Sequence, residues 1–188
     1  MCVIKGCDKG TLDYRTTADF TTAMGSLPHI AIVQFGTNDV LNACWDEKAF
    51  IADYCDFINN LKALPSRPSI YINIPTPLYF KQNEVVESGE VEEKARIELN
   101  KIVVDQVYKV NVILPPIIRK IGVLTDSVVI DLFTAMGGAQ RTRTDALSDD
   151  SLHLNDLGYL GVAHEIARVI SEHEKFDFIS APPRVESR

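Results

Sequence analysis

The chain has 188 residues, 46% hydrophobic and 24% charged, with a formal net charge of −7. That length suits one domain with a substantial core. The negative balance argues against an electrostatic grip on nucleic acid or anionic membrane, and no apolar run reaches the roughly 20 residues of a membrane helix. The N-terminal stretch MCVIKGCDKG carries no apolar core of a signal peptide, and the sequence assigns no compartment. Cys2, Cys7, Cys44 and Cys55 form no CxxC pair, and His29, His153, His164 and His173 show no metal-ligand spacing. Reduced structural thiols are expected, and neither a metal nor another cofactor is.

In chain order, Cys2 to Gly6 reads as a short strand running into a glycine turn. Thr16 to Met24 reads as a helix that Gly25, Ser26 and Pro28 end. Ile30 to Asp39, IAIVQFGTND, is a short apolar run that stops at a glycine and continues into three polar residues. This is the pattern of a buried strand ending in a loop. Ligands sit outside the carboxyl ends of strands in open parallel sheets. Asn38 would stand there, its amide NH2 suited to donate to a developing oxyanion. Helix capping is the alternative role for Asn38 and for Asp39.

Asp46 to Leu64 predicts an amphipathic helix. Its stripe is Phe50, Tyr54, Phe57, Ile58 and Leu61, with Asp46 and Glu47 at its start. Ser69 to Ile74 is the next strand, leaving through Pro75-Thr76-Pro77 toward a cleft at the same sheet edge. Residues 79–93 read as a polar loop. A helix covers about 91–110, a second runs from Pro115-Pro116 to Gly122, and Val128 to Phe133 is the last strand. Asp131 near its end is read as a loop anchor.

Residues 135–148 form a loop whose Arg141 and Arg143 are read as solvated charges. A helix from Asp156 to Glu174 follows, with an apolar stripe of Leu157, Leu160, Ala163, Ala167 and Ile170. Residues 176–188 look like a tail after a single domain spanning 1–175. Just before the last helix, DSLHLND sets Asp150 and His153 three apart, so one turn places them side by side. A carboxylate beside an imidazole holds its tautomer and supports the imidazolium.

GTND at a strand end and DxxH before a C-terminal helix together resemble the SGNH hydrolases, the GDSL esterase/lipase family, in particular its carbohydrate-ester and acetylesterase members. The resemblance runs from about Val3 to Glu174. It implies an α/β fold, a flavodoxin-like three-layer α/β/α sandwich on a parallel sheet of about five strands. It implies a serine esterase in which His153 takes the nucleophile's proton, Asp150 orients His153, and Asn38 with the Gly6 amide binds the oxyanion. A plain turn is the alternative for Gly6. Short acyl esters, acetyl on a sugar among them, are the implied substrates.

The sequence contains no Gly-Asp-Ser, the family's nucleophile block after its first, central strand. The expectation is therefore a truncated domain that lacks that strand, inactive in this form, with homo-oligomerisation one consequence of the lost core. Thr125-Asp126-Ser127 is the nearest substitute, but a strand follows it where a nucleophile elbow needs a helix. Ser151 lies too close in sequence to His153 to meet it. A non-catalytic relative that binds acylated sugars or a protein is the alternative function. A nucleotide-binding module is disfavoured, because no GxGxxG or GxxxxGK[ST] follows any strand.

Overall fold

The structure is a computed structural model, and it describes residues 1–6, 12–78, 104–138 and 153–175. A 3₁₀ turn at Tyr14–Thr16 leads into α1 (Ala18–Gly25), β1 (Ile30–Val33), α2 (Thr37–Leu41), α3 (Glu47–Lys62) and β2 (Ser69–Ile74). A π-helical turn at Lys109–Ile113 then runs into α4 (Leu114–Thr125), followed by β3 (Val128–Asp131), α5 (Leu132–Ala135) and α6 (Asp156–Glu174). The three strands form a parallel sheet in the order β1-β2-β3. The register pairs Ile32 with Tyr71, and Tyr71 with Val128. The protein is thus α/β, with helices on both faces of a parallel sheet, as all-parallel sheets require.

The main core lies between the sheet and the layer of α3 and α4. Phe50, Tyr54, Phe57, Ile58 and Leu61 are all buried, so the stripe read from the sequence is the face α3 turns inward. They meet Ile70, Ile72 and Ile74 from one side of β2 and Ile118 and Ile121 of α4. A second, smaller core sits on the other side of the sheet, where Tyr71, Ile130, Leu132 and Ile170 are joined by Val162, Ile166 and Val169 of α6.

Several elements differ from the reading of the sequence. Residues 2–6 form no strand: Cys2 makes a single bridge with Asp13, and the amides of Val3 and Ile4 turn to the Asp39 carboxylate. A backbone with no neighbouring strand must satisfy its donors elsewhere. The helix expected to begin at Pro115 starts at Leu114, directly after the π turn. Pro115 and Pro116 have no N–H, so the i→i+4 ladder breaks there, and Leu114 N–H donates to the Lys109 carbonyl five residues back.

The last strand ends at Asp131 rather than Phe133, because Asp131 caps α5: its carboxylate accepts from the Thr134 amide at 2.9 Å. On α6 the expected apolar stripe is only partly inward. Ile170 is buried, but Leu157 and Leu160 are 64% and 67% exposed. The sheet instead takes the neighbouring row of β-branched residues, Val162, Ile166 and Val169. Residues 79–93, Arg141, Arg143 and the tail from 176 lie outside the described residues.

Candidate active site

The site is built where β1 ends. Gly36 has φ +125°, a backbone conformation open to glycine, and this turns the chain from the strand directly into α2. A Cβ at Gly36 would meet the Leu114 side chain at 2.7 Å, so glycine also lets α4 approach the turn. The consequence is that Thr37, Asn38 and Asp39 form the first turn of a short helix at the carboxyl edge of the sheet.

Asp39 and Asn38 point to different jobs. Asp39 is wholly buried. Its Oδ1 accepts from the Val3 amide at 2.7 Å and the Ile4 amide at 3.1 Å, and its Oδ2 from the Gly36 amide at 3.1 Å. Burial pushes its carboxyl above the usual range, while those three amides pull the other way. Asn38 is exposed and donates through Nδ2 to the Met1 carbonyl at 3.4 Å. Asp39 is therefore the clamp that seats the N-terminal segment, and its neighbour Asn38 is left facing outward at the sheet edge. The role of Asp39 went unread because a capping carboxylate and a long-range clamp look identical in a linear sequence.

Gly6 follows the clamped segment at φ +66°, and its N–H donates to the Asp13 carboxylate at 3.4 Å. Arg15 secures the same segment. Its guanidinium donates to the Val3 carbonyl and to the Asp53 carbonyl, both at 2.5 Å, and lies over the Phe57 ring. Lys5 N–H donates to Asp53 at 2.8 Å. Residues 1–6 are thus held to α2 and α3 without belonging to the sheet.

His153 lies just before the Asn155 cap of α6, on the surface. The direction of α6 fixes which sheet edge this is. At its far end, His173 and Glu174 meet the Tyr71 hydroxyl, two residues into β2. A helix of 19 residues is about 28 Å long. Its other end, with His153, is therefore carried to the carboxyl edge, the side where Gly36 and Asn38 stand. Asp150 lies outside the described residues, as does Ser151. Ser127 is at the opposite edge, before β3, where its hydroxyl meets Thr125 Oγ1 at 3.0 Å. It cannot serve a site at the carboxyl ends of the strands.

A groove of about 540 Å³, within the ordinary range of ligand pockets, runs along β1 and reaches Asn38 and Met1. It is lined by residues 31–35 of β1 and its extension, by Phe20 and Met24 of α1 and by Phe57 and Leu61 of α3. The Pro75–Leu78 exit of β2, expected to line a cleft, does not border this groove. Instead it is pinned to the π turn: Asn111 accepts from the Leu78 amide and donates to the Leu78 carbonyl, both at 2.8 Å.

A parallel sheet with helices on both faces places the chain among the open-sheet α/β proteins, whose ligands sit at the carboxyl ends of the strands. The profile of the GDSL-like Lipase/Acylhydrolase family matches residues 5–160, and the chain belongs to that family. Among solved structures it is similar to a peptidoglycan O-acetylesterase (16% identity, TM-score 0.53), covering 82% of this chain and 41% of that one. It is also similar to a protein from Bacteroides fragilis assigned as an acylhydrolase (16% identity, TM-score 0.51), covering 78% and 62% respectively. A lipase/acylhydrolase from Enterococcus faecalis aligns at 19% identity and TM-score 0.49, covering 85% and 67%. The chain thus spans between about two fifths and two thirds of these neighbours' lengths. No curated protein matches it. The SGNH hydrolase fold is therefore the fold of this chain, and acylhydrolase is its family.

Proposed function

We propose that these residues form the oxyanion-binding and general-base part of an esterase for short acyl esters, acetyl groups on carbohydrate foremost. The observation that carries the reading is Asn38: exposed, at the carboxyl edge of the sheet and at the end of a groove. Its Nδ2 is a donor of the kind that stabilises a tetrahedral oxyanion. The Gly6 amide would be the second donor, once a substrate oxygen displaces its 3.4 Å contact to Asp13. His153 would take the proton of the attacking hydroxyl and return it to the leaving alcohol, with Asp150 holding the ring. The nucleophilic serine is not among the described residues and would come from polypeptide beyond the 188. The peptidoglycan O-acetylesterase among the structural neighbours supports the choice of an acetylated sugar.

A fluorophosphonate probe and an acetyl ester test this. The 188-residue chain is expected to take up no probe and to show no turnover. The longest natural form of the protein is expected to be labelled at one serine and to release acetate. His153→Ala should remove the turnover, and Asn38→Ala should lower kcat about 10²-fold. A longest form that binds acetylated sugar without labelling or turnover would replace the esterase with a binding protein.

A further inference from the structure

We propose that Gln34 is a specificity residue of the site, a donor that Asn73 holds in place for an oxygen of the sugar in the alcohol half of the ester. The inference rests on the esterase reading above and names the residue that tells a carbohydrate ester from a plain alkyl ester.

Strand register brings the two residues together. Val33 pairs with Ile72 in the last matched step of β1 and β2, so Gln34 and Asn73 come next, at the carboxyl edge. Side chains alternate along a strand. Ile70, Ile72 and Ile74 join the core against α3 and α4, while Tyr71 packs under α6. Asn73, two residues beyond Tyr71, turns to the α6 face. Its Nδ2 donates to Gln34 Oε1 at 3.2 Å, so the end of the Gln34 side chain stands on that face too.

Burial decides which end of the Gln34 amide faces outward. Asn73 is 4% exposed, and its Oδ1 meets no donor among the described residues. In the reverse arrangement Gln34 Nε2 would donate to Asn73 Oδ1, and the whole Asn73 NH2 would be buried without an acceptor. A buried N–H left unpaired is rarer than a carbonyl left short of a donor. The observed arrangement therefore wins, and with Oε1 engaged the exposed Gln34 presents its Nε2 hydrogens. Gln34 lines the same groove as Asn38, the donor assigned to the oxyanion.

The face of the sheet says which half of the ester this donor meets. His153 leads into α6 and would return the proton to the leaving alcohol, so the alcohol half belongs on the side of the sheet that α6 covers. Gln34 stands on that side, while the aromatic residues Phe35 and Phe57 of the groove belong to the core with α3. An alkyl alcohol offers Nε2 nothing to bond. A hydroxyl or ring oxygen of a sugar accepts from it, and a neutral amide asks for no charge in return.

The test uses the longest natural form of the protein with two acetyl esters, a mono-acetylated methyl glucoside and ethyl acetate. Gln34→Leu and Gln34→Glu both remove the donor. Each should lower the ratio of kcat/KM, glucoside over ethyl acetate, about tenfold, chiefly through KM for the glucoside. Asn73→Leu frees the Gln34 amide to turn, so it should lower the same ratio by less. Its urea midpoint should hold or rise, because the unpaired buried carbonyl is gone. An unchanged ratio in both Gln34 variants would overturn the proposal. So would an Asn73→Leu protein that loses stability and slows on both esters alike, since Asn73 would then be structural only. Hydrolysis of neither ester by the unsubstituted protein would instead remove the esterase reading. The Gln34 side-chain NH2 signal in nitrogen NMR then decides the subsite by itself: a shift with the glucoside and not with ethyl acetate retains it, and equal shifts or none overturn it.

Discussion

Asp39 Oδ1 accepts the Val3 amide at 2.7 Å, joining residues 36 positions apart. This bond couples the N-terminal segment to the same short helix that presents Asn38. A carboxylate with three amide donors is buried to hold backbone in place, here the N-terminal segment and the turn before Asn38.

Removing that carboxylate is expected to be costly. Asp39→Ala leaves the Val3, Ile4 and Gly36 donors unsatisfied and should destabilise the fold by about 3–4 kcal/mol. Asp39→Asn, neutral and of the same shape, should cost about half as much, since it keeps one acceptor and avoids burying a charge. Urea unfolding of the two variants measures both. A loss below about 1 kcal/mol for the alanine variant would show that the clamp is not structural.

Gly36→Ala combines a positive φ with a Cβ placed 2.7 Å from Leu114. The expected loss is about 2–4 kcal/mol. In Gly36→Ala with Leu114→Ala, the steric part should be relieved and the backbone part should remain. The two changes should therefore couple favourably by about 1 kcal/mol in a double-mutant cycle. Strict additivity would mean that φ alone demands the glycine.

Asp131 predicts part of the acid sensitivity. Partial burial raises its carboxyl pKa, but the Thr134 amide and hydroxyl and the Arg119 guanidinium outweigh it and leave it below the usual value of 3.8. A carboxyl depressed in the folded state contributes stability above its unfolded pKa, and that contribution is lost as pH falls through the folded value. Stability measured from pH 6 to pH 2 should therefore fall less steeply below about pH 4 in Asp131→Asn. At neutral pH the variant should lose about 0.5–1 kcal/mol, as expected of a part-exposed pair. An unchanged acid limb would remove Asp131 from the account.

The Tyr71 hydroxyl meets Glu174 Oε1 and His173 Nδ1, each at 2.8 Å. It has one proton to donate, and the carboxylate accepts it. His173 must then carry its own proton on Nδ1 and donate to the tyrosine oxygen. Nitrogen NMR of His173 should show Nδ1 protonated near neutral pH, and Tyr71→Phe should release this preference at a cost of about 1 kcal/mol. A neutral ring protonated only on Nε2 would reverse the assignment.

How much of this was legible beforehand depended on the range of the interactions. The stripe of α3 and the apolar run of β2 lie in residues that follow closely in the chain, and their periodicity announces them. The same holds for the glycine that ends β1 and for the GTND motif, which sits on a single turn. The family was readable because its motifs are local.

Tertiary structure alone decided the rest. Asp39 became a clamp because Val3 and Ile4, which pair with no strand among the described residues, had amides to satisfy. α6 turned Val162, Ile166 and Val169 toward Tyr71, Ile130 and Leu132, and left Leu157 and Leu160 exposed. His153 reached the edge of Asn38 only because the far end of α6 is tied to Tyr71. Each outcome turns on which surface is left to bury or which donor is left to pair, and those quantities exist only once distant segments have met.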